Sequence, residues 1–470
     1  MNINRKKIII YGIGRFSEDF LYLFPKVNIC GYIVSNKKQK EYKGYKCYYE
    51  DNVDRSLLKH KLLVICERRS KKIDKFLEKL NLVSKKDYYY LEDLGYLLND
   101  KKDEFSAKFY KWYHLKIKKW KEYPDYVPNS IYFKEMIYRD SIDNIKCQFP
   151  FGYVQIQPKG YVYPCCSGWV KKEMGNITFK KPKEVWNSNL ARLHRLSIIN
   201  KTYTFCDIDS CPFMKKRVKT TNTRFTDLKE TKSPTTVCVA IDNSCNLKCK
   251  SCRKNFHNVK KGRHLKTLDR LATRIVESNW ANDADELIMA SQGEVFFSTT
   301  YRKMLFDSKI TERDSIVIHT NGTLLTKKNL DRLCSIYKDI EIMISVDATT
   351  EETYKKIRCG GNFKQLMKNL ENLSVAKKEG RVRKVNLLFV VQRDNYQEMP
   401  DFVRLVKRLD FDIADFSKIG NWGTFTDKEF EKISMFDENE NPKEELVSIL
   451  KDPIFKDKKV KADSNVFKSI

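Results

Sequence analysis

Six apolar runs alternate with amphipathic segments in the second half of the chain, and this alternation limits the folds the chain can adopt. The runs are nearly continuous, as in strands buried on both faces, and segments such as 266–280 and 362–378 have helical spacing. Repeated strand–helix units favour an α/β fold in which parallel strands form a partial barrel. The predicted strands are TTVCVAI at 235–241, DELIMAS at 285–291, SIVIHT at 315–320, IEIMISV at 340–346, VNLLFVV at 385–391 and FDIADF at 411–416.

Three cysteines follow the first predicted strand within nine residues, in the stretch SCNLKCKSC at 244–252. In parallel barrels the chemistry takes place at the carboxyl ends of the strands, which is where this loop lies. Cys245, Cys249 and Cys252 could occupy three corners of an iron–sulfur cubane. A structural zinc would need a fourth ligand, for which His257 is the nearby candidate.

A second, looser group of cysteines lies between residues 147 and 212. VQIQPKGYVYP, at 154–164, predicts a β-hairpin around a Pro-Lys-Gly turn, and a helix is expected from about Pro182 to Ile199. These elements would bring thiols from three places into one closed site, although spacing alone does not separate zinc from iron–sulfur. We assign four cysteines to it, with Cys166 as the alternate: Cys147, Cys165, Cys206 and Cys211.

The tight cysteine loop and three further stretches resemble the radical S-adenosylmethionine (SAM) superfamily over about residues 236–421. The superfamily signature is C-x3-C-x2-C after the first barrel strand. SQGEVF at 291–296 is similar to its glycine–glycine–glutamate segment, with Gln292 replacing the first glycine. HTNG at 319–322 and SVDATTEETYKKIRCGGNF at 345–363 match its later strand ends, whereas Ser251 stands where many members have an aromatic residue.

This resemblance implies a partial (β/α)6 barrel and a 4Fe-4S cluster with one iron left open for SAM. An electron passed through such a cluster cleaves SAM to methionine and a 5'-deoxyadenosyl radical, which abstracts hydrogen from a substrate. The sequence assigns no side chain a catalytic role. The resemblance implies SAM contacts at Gln292, Gly293 and Glu294 for the ammonium group, and at Asn321, Ser345 and Arg358 for the carboxylate or ribose.

Residues 147–212 resemble the SPASM domain, an auxiliary-cluster module, through GNI at 175–177, EVWNS at 184–188 and a cysteine pair before proline. The resemblance implies a second, auxiliary 4Fe-4S cluster that assists electron transfer. In most radical SAM enzymes this domain follows the barrel, whereas here it precedes the barrel.

The amino-terminal stretch KKIIIYGIGRFSEDFLYLF predicts a strand, a glycine turn and a helix, and further apolar runs at 29–34 and 61–67 predict a Rossmann-like parallel sheet. Gly12, Gly14 and Ser17 form only a weak dinucleotide pattern. A phosphate site and a simple tight turn are both open. The stretch resembles small units of nucleotide-sugar and surface-polysaccharide enzymes, so we expect a sugar or nucleotide-sugar substrate or, as is commoner for SPASM enzymes, a peptide.

The predicted organisation has five parts. They are a Rossmann-like domain at 1–99, a helical connector at 100–146, a SPASM-like domain at 147–225, a radical SAM barrel at 235–430 and a charged extension at 431–470 that caps the barrel edge or trails in solvent. Without an apolar run of about 18 residues or a signal peptide, we expect a cytoplasmic protein with no membrane span.

The net charge is +29, but lysine is spread along the chain, so we expect solvated faces rather than a nucleic-acid partner. The expected reductant is an electron donor such as flavodoxin or ferredoxin. Two alternatives to this interpretation are a zinc-stabilised, non-catalytic nucleic-acid-binding protein and a radical SAM enzyme that modifies RNA.

Overall fold

The structure is a computed structural model of the chain. It describes residues 3–94, 145–214 and 233–462, except 25, 68–69, 92, 146, 171, 208–209, 212, 279, 291 and 439. Apart from Ile145, the predicted connector at 100–146 lies outside the described residues. The chain divides into a first unit (residues 1–151, 166–175 and 186–230) and a second unit (residues 152–165, 176–185 and 231–470).

The first unit contains a six-stranded sheet in the order β3-β4-β2-β1-β5-β6. Its strands pair in parallel, except for the β3–β4 hairpin. Ile8 and Ile10 pack into the core on one face of the sheet, and Ile9 packs into the core on the other. The Rossmann-like prediction is therefore confirmed. The strands are β1 Lys7–Tyr11, β2 Asn28–Val34, β3 Glu41–Tyr42, β4 Tyr45–Tyr49, β5 Lys61–Ile65 and β6 Tyr88–Tyr90.

Helices cover this sheet and complete its core. Leu193 and Leu196, in the helix Asn189–Ile199, pack into the same hydrophobic cluster as Phe20, in the helix Arg15–Leu23. Residues from the predicted SPASM-like segment therefore belong to the Rossmann-like core. The helices before β10 are α1 Arg15–Leu23, α2 Lys71–Lys79, α3 Phe149–Gly152, α4 Pro182–Trp186 and α5 Asn189–Ile199, of which α4 lies almost entirely in the second unit.

The second unit is built on a ten-stranded sheet in the order β16-β15-β14-β13-β12-β11-β10-β7-β8-β9. Its six central strands, β10 to β15, pair in parallel as the sequence predicts. The strands are β7 Tyr153–Ile156, β8 Tyr161–Tyr163, β9 Gly175–Asn176, β10 Thr236–Val239, β11 Glu286–Met289, β12 Ser315–Thr320, β13 Asp339–Ser345, β14 Lys384–Val391, β15 Ile413–Lys418 and β16 Val460–Ala462.

Helices between these strands bury the apolar face of the sheet. In β13, for example, Ile340, Ile342 and Ile344 are fully buried and alternate with half-buried residues. This confirms the partial barrel. The helices are α6 Gly262–Glu277, α7 Trp280–Asp283, α8 Thr299–Asp307, α9 Lys327–Ile336, α10 Glu351–Ile357, α11 Phe363–Lys378, α12 Met399–Arg408, α13 Asp427–Ile433 and α14 Glu444–Leu450.

Both edges of the six-stranded barrel sheet carry additional strands. On the first edge, the predicted hairpin forms as β7 and β8, and β7 pairs in parallel with β10. On the last edge, β16 pairs in parallel with β15. Residues 431–470 were predicted either to cap the barrel edge or to trail in solvent. The described residues of this segment cap the edge.

The single helix predicted from Pro182 to Ile199 is wrong in detail, because the structure has two helices there. The first ends at Trp186, and Ser188 caps the second, since its hydroxyl accepts a hydrogen bond from the N–H of Ala191 at 3.1 Å. In the described part of the chain, no helix is long and apolar enough to cross a membrane.

Candidate active site

The loop that carries the three cysteines begins directly after β10 and is held by a buried carboxylate. Asp242 Oδ1 accepts hydrogen bonds from the N–H and the hydroxyl of Ser244, both at 2.9 Å. Its Oδ2 accepts from Ser298, the N-cap of α8, at 2.6 Å. Ser244 Oγ accepts in turn from the N–H of Val259 at 2.9 Å. These bonds close the loop on itself and tie it to a neighbouring helix.

The three thiols differ in exposure. Cys245 and Cys249 are buried and Cys252 is exposed. The N–H of Cys245 donates to His257 O at 2.9 Å, and the N–H of Cys252 donates to Cys249 O at 3.0 Å. Burial raises the pKa of Cys245 to about 11 and also raises the pKa of Cys249, although Arg358 opposes the shift at Cys249. Binding of iron at these thiols therefore displaces protons.

The number of thiols on this loop suits an open cluster, because three thiolates leave the fourth iron of a cubane without a protein ligand. Among the described residues, no three His, Cys, Asp or Glu side chains are placed to hold one metal ion. A structural zinc needs such convergence, because all its ligands bind one atom. In a cubane, each thiolate binds a different iron, so the thiols can stay apart. The ring of His257, the candidate zinc ligand, lies beside that of His264, with centroids 6.0 Å apart.

Gly293 and Glu294 join the loop after β11 to the cysteine loop. A Cβ atom on Gly293, which has a φ of +74°, would lie 2.3 Å from Asp242 O and 2.8 Å from Ser244 O, so only glycine fits. The N–H of Glu294 donates to Ser244 O at 2.8 Å. The fully buried Glu294 carboxylate accepts from Thr320 Oγ1 and from the N–H of Asn321, both at 2.7 Å. Glu294 thereby holds three strand ends together.

Arg358 and Asn321 lie against the two buried thiols. Arg358 forms an ion pair with Asp347 at 2.6 Å and donates to Cys249 Sγ at 3.7 Å. Its Nε is buried and has no hydrogen-bond partner in the described part of the chain. Asn321 Nδ2 lies 3.8 Å from Cys245 Sγ. A buried donor that lacks a partner beside the cysteine loop suits the carboxylate of SAM, so these residues fit the cofactor.

The two remaining candidates for SAM contacts are placed differently. Gln292 Nε2 donates to Oε1 of Gln157, the residue after β7, at 2.8 Å, so its side chain contacts the added hairpin. Ser345 ends β13 and is half-buried, opposite Leu388 of β14. The structure therefore brings Glu294, Asn321 and Arg358 to the cysteine loop, but it turns Gln292 toward a neighbouring strand.

Three cysteines of the second group lie in one hydrophobic cluster of the first unit. Cys147, Cys206 and Cys211 pack there with Tyr203 and Trp169. The N–H of Cys206 donates to Tyr203 O at 2.9 Å. Burial raises the pKa of Cys147 to about 11, and Cys211 adds to that shift. These thiols are drawn from two distant segments into one apolar environment.

Cys165 and Cys166 fall on opposite sides of the unit division. Cys165 follows β8 in the second unit, and Cys166 belongs to the first unit, where its carbonyl accepts from the N–H of Trp169 at 2.9 Å. In the first unit, Val170 also pairs with Cys206 in an isolated bridge. The segment that starts at Cys166 thus lies beside one of the three clustered cysteines.

Two family models match the chain over the ranges that hold these cysteines. The radical SAM superfamily model matches residues 240–406, and the SPASM model, described as an iron–sulfur cluster-binding domain, matches residues 147–212. The chain is a radical SAM enzyme with a SPASM domain. These two domains imply SAM and 4Fe-4S clusters as its cofactors. The alternative of a non-catalytic, zinc-stabilised nucleic-acid-binding protein is therefore wrong.

Individual relatives of this radical SAM enzyme match only part of it. A probable GTP 3',8-cyclase from Methanococcus maripaludis strain C5 is 32% identical over 133 residues, which is 28% of this chain and 43% of that protein. The GTP 3',8-cyclase from Limosilactobacillus fermentum is 29% identical over 202 residues, 39% of this chain and 55% of that protein. The chain thus spans about half the length of these curated relatives.

Among solved structures, Streptococcus suis SuiB bound to its precursor peptide SuiA is similar to this radical SAM enzyme. The match has 15% identity over 49% of each chain, with a TM-score of 0.36. A similarity of this size does not bear on the substrate.

Three residues of the site were not among the sequence candidates. Asp347 was part of a quoted motif, but the sequence shows neither its φ of +63° nor its ion pair with Arg358. Asn246 Oδ1 accepts from Asn321 Nδ2 at 2.9 Å. Arg253 donates to Cys252 Sγ at 3.4 Å. Asn246 and Arg253 each follow a cysteine directly, and this position in the sequence could have marked them as site residues.

The glycine turn of the first unit is filled by an acidic side chain. A Cβ on Gly12 would lie 2.6 Å from Cγ and 2.8 Å from Oε1 of Glu67. Burial raises the pKa of Glu67, and Lys72 opposes that shift. Ser17 caps the helix start, since its hydroxyl accepts a hydrogen bond from the N–H of Gly14 at 3.1 Å and donates to Gly14 O at 2.8 Å. A carboxyl group over the turn disfavours a phosphate there, so the geometry favours a simple tight turn.

Proposed function

We propose that this enzyme cleaves SAM at a 4Fe-4S cluster bound by Cys245, Cys249 and Cys252 and abstracts hydrogen from a polar substrate. The observation that carries the proposal is the unpartnered Nε of Arg358, buried beside the loop that presents three separate thiols. When bound, the cluster and SAM supply a 5'-deoxyadenosyl radical. The role of the protein residues is to orient SAM and to hold the substrate next to it.

The interior face of the barrel sheet is the proposed substrate surface. In β14, Phe389 packs against Phe402 of α12 with ring centroids 4.8 Å apart, so the alternate residues Asn386 and Leu388 face the other way. The strand register places His319 of β12 and Asn386 in one row across the sheet. That row runs along the interior face, below the strand ends that carry the cysteine loop.

This face presents hydrogen-bonding groups that lack protein partners. Gln157 Nε2, Asn386 Oδ1 and Gln392 Nε2 are buried and have no hydrogen-bond partner among the described residues. Burial lowers the pKa of His319 to about 4, although Glu341 opposes the shift, so the imidazole is neutral at pH 7 and can both donate and accept. These groups suit the hydroxyl or amide groups of a sugar, a nucleotide sugar or a peptide.

The auxiliary cluster is proposed to sit at Cys147, Cys206 and Cys211, with Cys165 or Cys166 as its fourth ligand. A substrate radical must lose or gain an electron before it becomes a stable product. A closed cluster can accept that electron without binding the substrate. A donor such as flavodoxin or ferredoxin is the proposed source of the electron that starts the reaction, and the cytoplasm is the proposed location.

A deuterium-transfer assay tests this function. The reconstituted enzyme is incubated with SAM and dithionite and with either a perdeuterated nucleotide sugar or a deuterated peptide. We expect 5'-deoxyadenosine to gain one deuterium with one of these substrate classes and with no class in the Cys249→Ala variant. If the wild type forms no 5'-deoxyadenosine under any condition, the proposed function is wrong.

RNA modification is the second candidate function, and the charge of +29 is the observation that favours it. Because phosphate contacts release counterions, RNA binding would weaken steeply as salt is raised. A fluorescence-anisotropy titration with an RNA oligonucleotide at low and high ionic strength checks this. An absence of binding at low salt contradicts the RNA candidate.

A further inference from the structure

Arg253 directly follows the last cysteine of the loop and is held at both ends of that loop. One guanidinium nitrogen donates to Asn243 O at 2.6 Å, and another lies 3.4 Å from Cys252 Sγ. Asn243 precedes the first cysteine and Cys252 is the last. The planar fork of arginine allows it to make both contacts at once, which an ammonium group on a flexible stem does less well.

The charge of Arg253 lies against the last thiol of the loop, since its guanidinium group contacts Cys252 Sγ at 3.4 Å. In the part of the chain that the structure describes, no carboxylate forms an ion pair with Arg253. Arg358, in contrast, is paired with Asp347 at 2.6 Å. Of the two guanidinium groups at the thiols, one is neutralised by a carboxylate and the other is not.

We propose that Arg253 stabilises the reduced state of the SAM-binding cluster. The inference rests on the proposed function, which places that cluster on Cys245, Cys249 and Cys252. A cluster with three thiolate ligands becomes more negative when it accepts an electron, so a nearby positive charge lowers the free energy of the reduced state more than that of the oxidised state. Charge and hydrogen bonds at the sulfurs are known determinants of cluster potential.

A redox titration followed by electron paramagnetic resonance (EPR) tests this role. The reconstituted wild type is compared with Arg253→Gln, and only the signal that changes on addition of SAM is followed, so that the auxiliary cluster does not interfere. We expect the ratio of reduced to oxidised cluster at a fixed potential to fall about tenfold in Arg253→Gln, a shift of about 59 mV to lower potential. Lys254→Gln is the matched control, because it removes the same charge from an exposed neighbouring residue.

Arg253→Lys separates the effect of the charge from that of the hydrogen-bond geometry. It is also the variant to measure if Arg253→Gln binds too little iron for the titration. Lysine keeps the charge but cannot hold both Asn243 and Cys252, so its ratio should fall about twofold. Lys254→Gln should change the ratio less than either variant does. Equal ratios in Arg253→Gln and in Lys254→Gln overturn the proposal. A tenfold fall in Arg253→Lys, which keeps the charge, overturns it as well. A wild type in which no EPR signal responds to SAM instead overturns the proposed function, so the two failures are distinguishable.

Discussion

The two cysteine groups of this enzyme are built in different ways. Cys245, Cys249 and Cys252 lie on one short loop, and hydrogen bonds within and next to that loop set its shape. Cys147 and Cys206 are separated by almost the whole SPASM segment and share one hydrophobic cluster with Trp169 and Tyr203. A site that must leave one iron open for a small molecule can be local, whereas a site that encloses a cluster needs ligands from several directions.

Loss of a ligand from the local loop should give the largest and most selective effect. The Cys249→Ala variant is expected to lose about half of roughly eight irons and all SAM-dependent formation of 5'-deoxyadenosine, while the auxiliary signal stays. Iron analysis and product chromatography measure both quantities. Cys334→Ala, a cysteine outside both groups, is the control and should keep full iron. Full iron in Cys249→Ala would remove the distinction between the two groups.

Loss of a ligand from the second group should give the reverse pattern. Cys206→Ala is expected to lose the other half of the iron and to keep the change in EPR signal on SAM addition. Cys165→Ala and Cys166→Ala, compared side by side, identify the fourth ligand, since only one of them should lose iron. If Cys206→Ala loses the SAM response while its secondary structure by circular dichroism is unchanged, the groups are not independent.

Much of this comparison was readable in the sequence, because the strands and the cysteine loop are local features. The apolar runs predicted β10 to β15 within a few residues, and the hairpin signal around Pro158 predicted β7 and β8. The pairing of β7 with β10, the contact between Gln157 and Gln292, and the core shared by Leu193 and Phe20 were not predicted. These features depend on contacts between segments far apart in the chain, and the local spacing of apolar residues does not predict such contacts.

The ion pair beside the open site should matter for stability as well as for SAM. Asp347 and Arg358 have side chains that are 5% and 13% exposed. Asp347→Asn leaves the guanidinium charge buried and unpaired, so we expect a loss of about 3 kcal/mol in the free energy of unfolding, measured by urea denaturation of the apoprotein. Glu351→Gln, which removes the exposed pair with Lys355, should cost less than about 1 kcal/mol. Similar costs for both variants contradict the assignment.

A smaller effect is expected from the contact between the two loops at Gly293. Gly293→Ala should cost about 2 kcal/mol, because it combines a left-handed backbone with a clash against two carbonyl oxygens. Gly380 is the matched control, since its φ of +73° is nearly the same and nothing lies within 4 Å of its Cβ position. Gly380→Ala should therefore cost only the backbone strain, about 1 kcal/mol. Equal urea midpoints for the two variants would mean that the loops are not in contact.

The central claim is that one iron on the loop of Cys245, Cys249 and Cys252 has no protein ligand and binds SAM. Electron–nuclear double resonance of the reduced cluster with SAM labelled with 15N at the amino group and 17O at the carboxylate tests this most directly. The account predicts hyperfine coupling to both labels in the wild type and none in the Cys249→Ala variant. An intact reduced cluster that shows no coupling to either label, with SAM in excess, would contradict it.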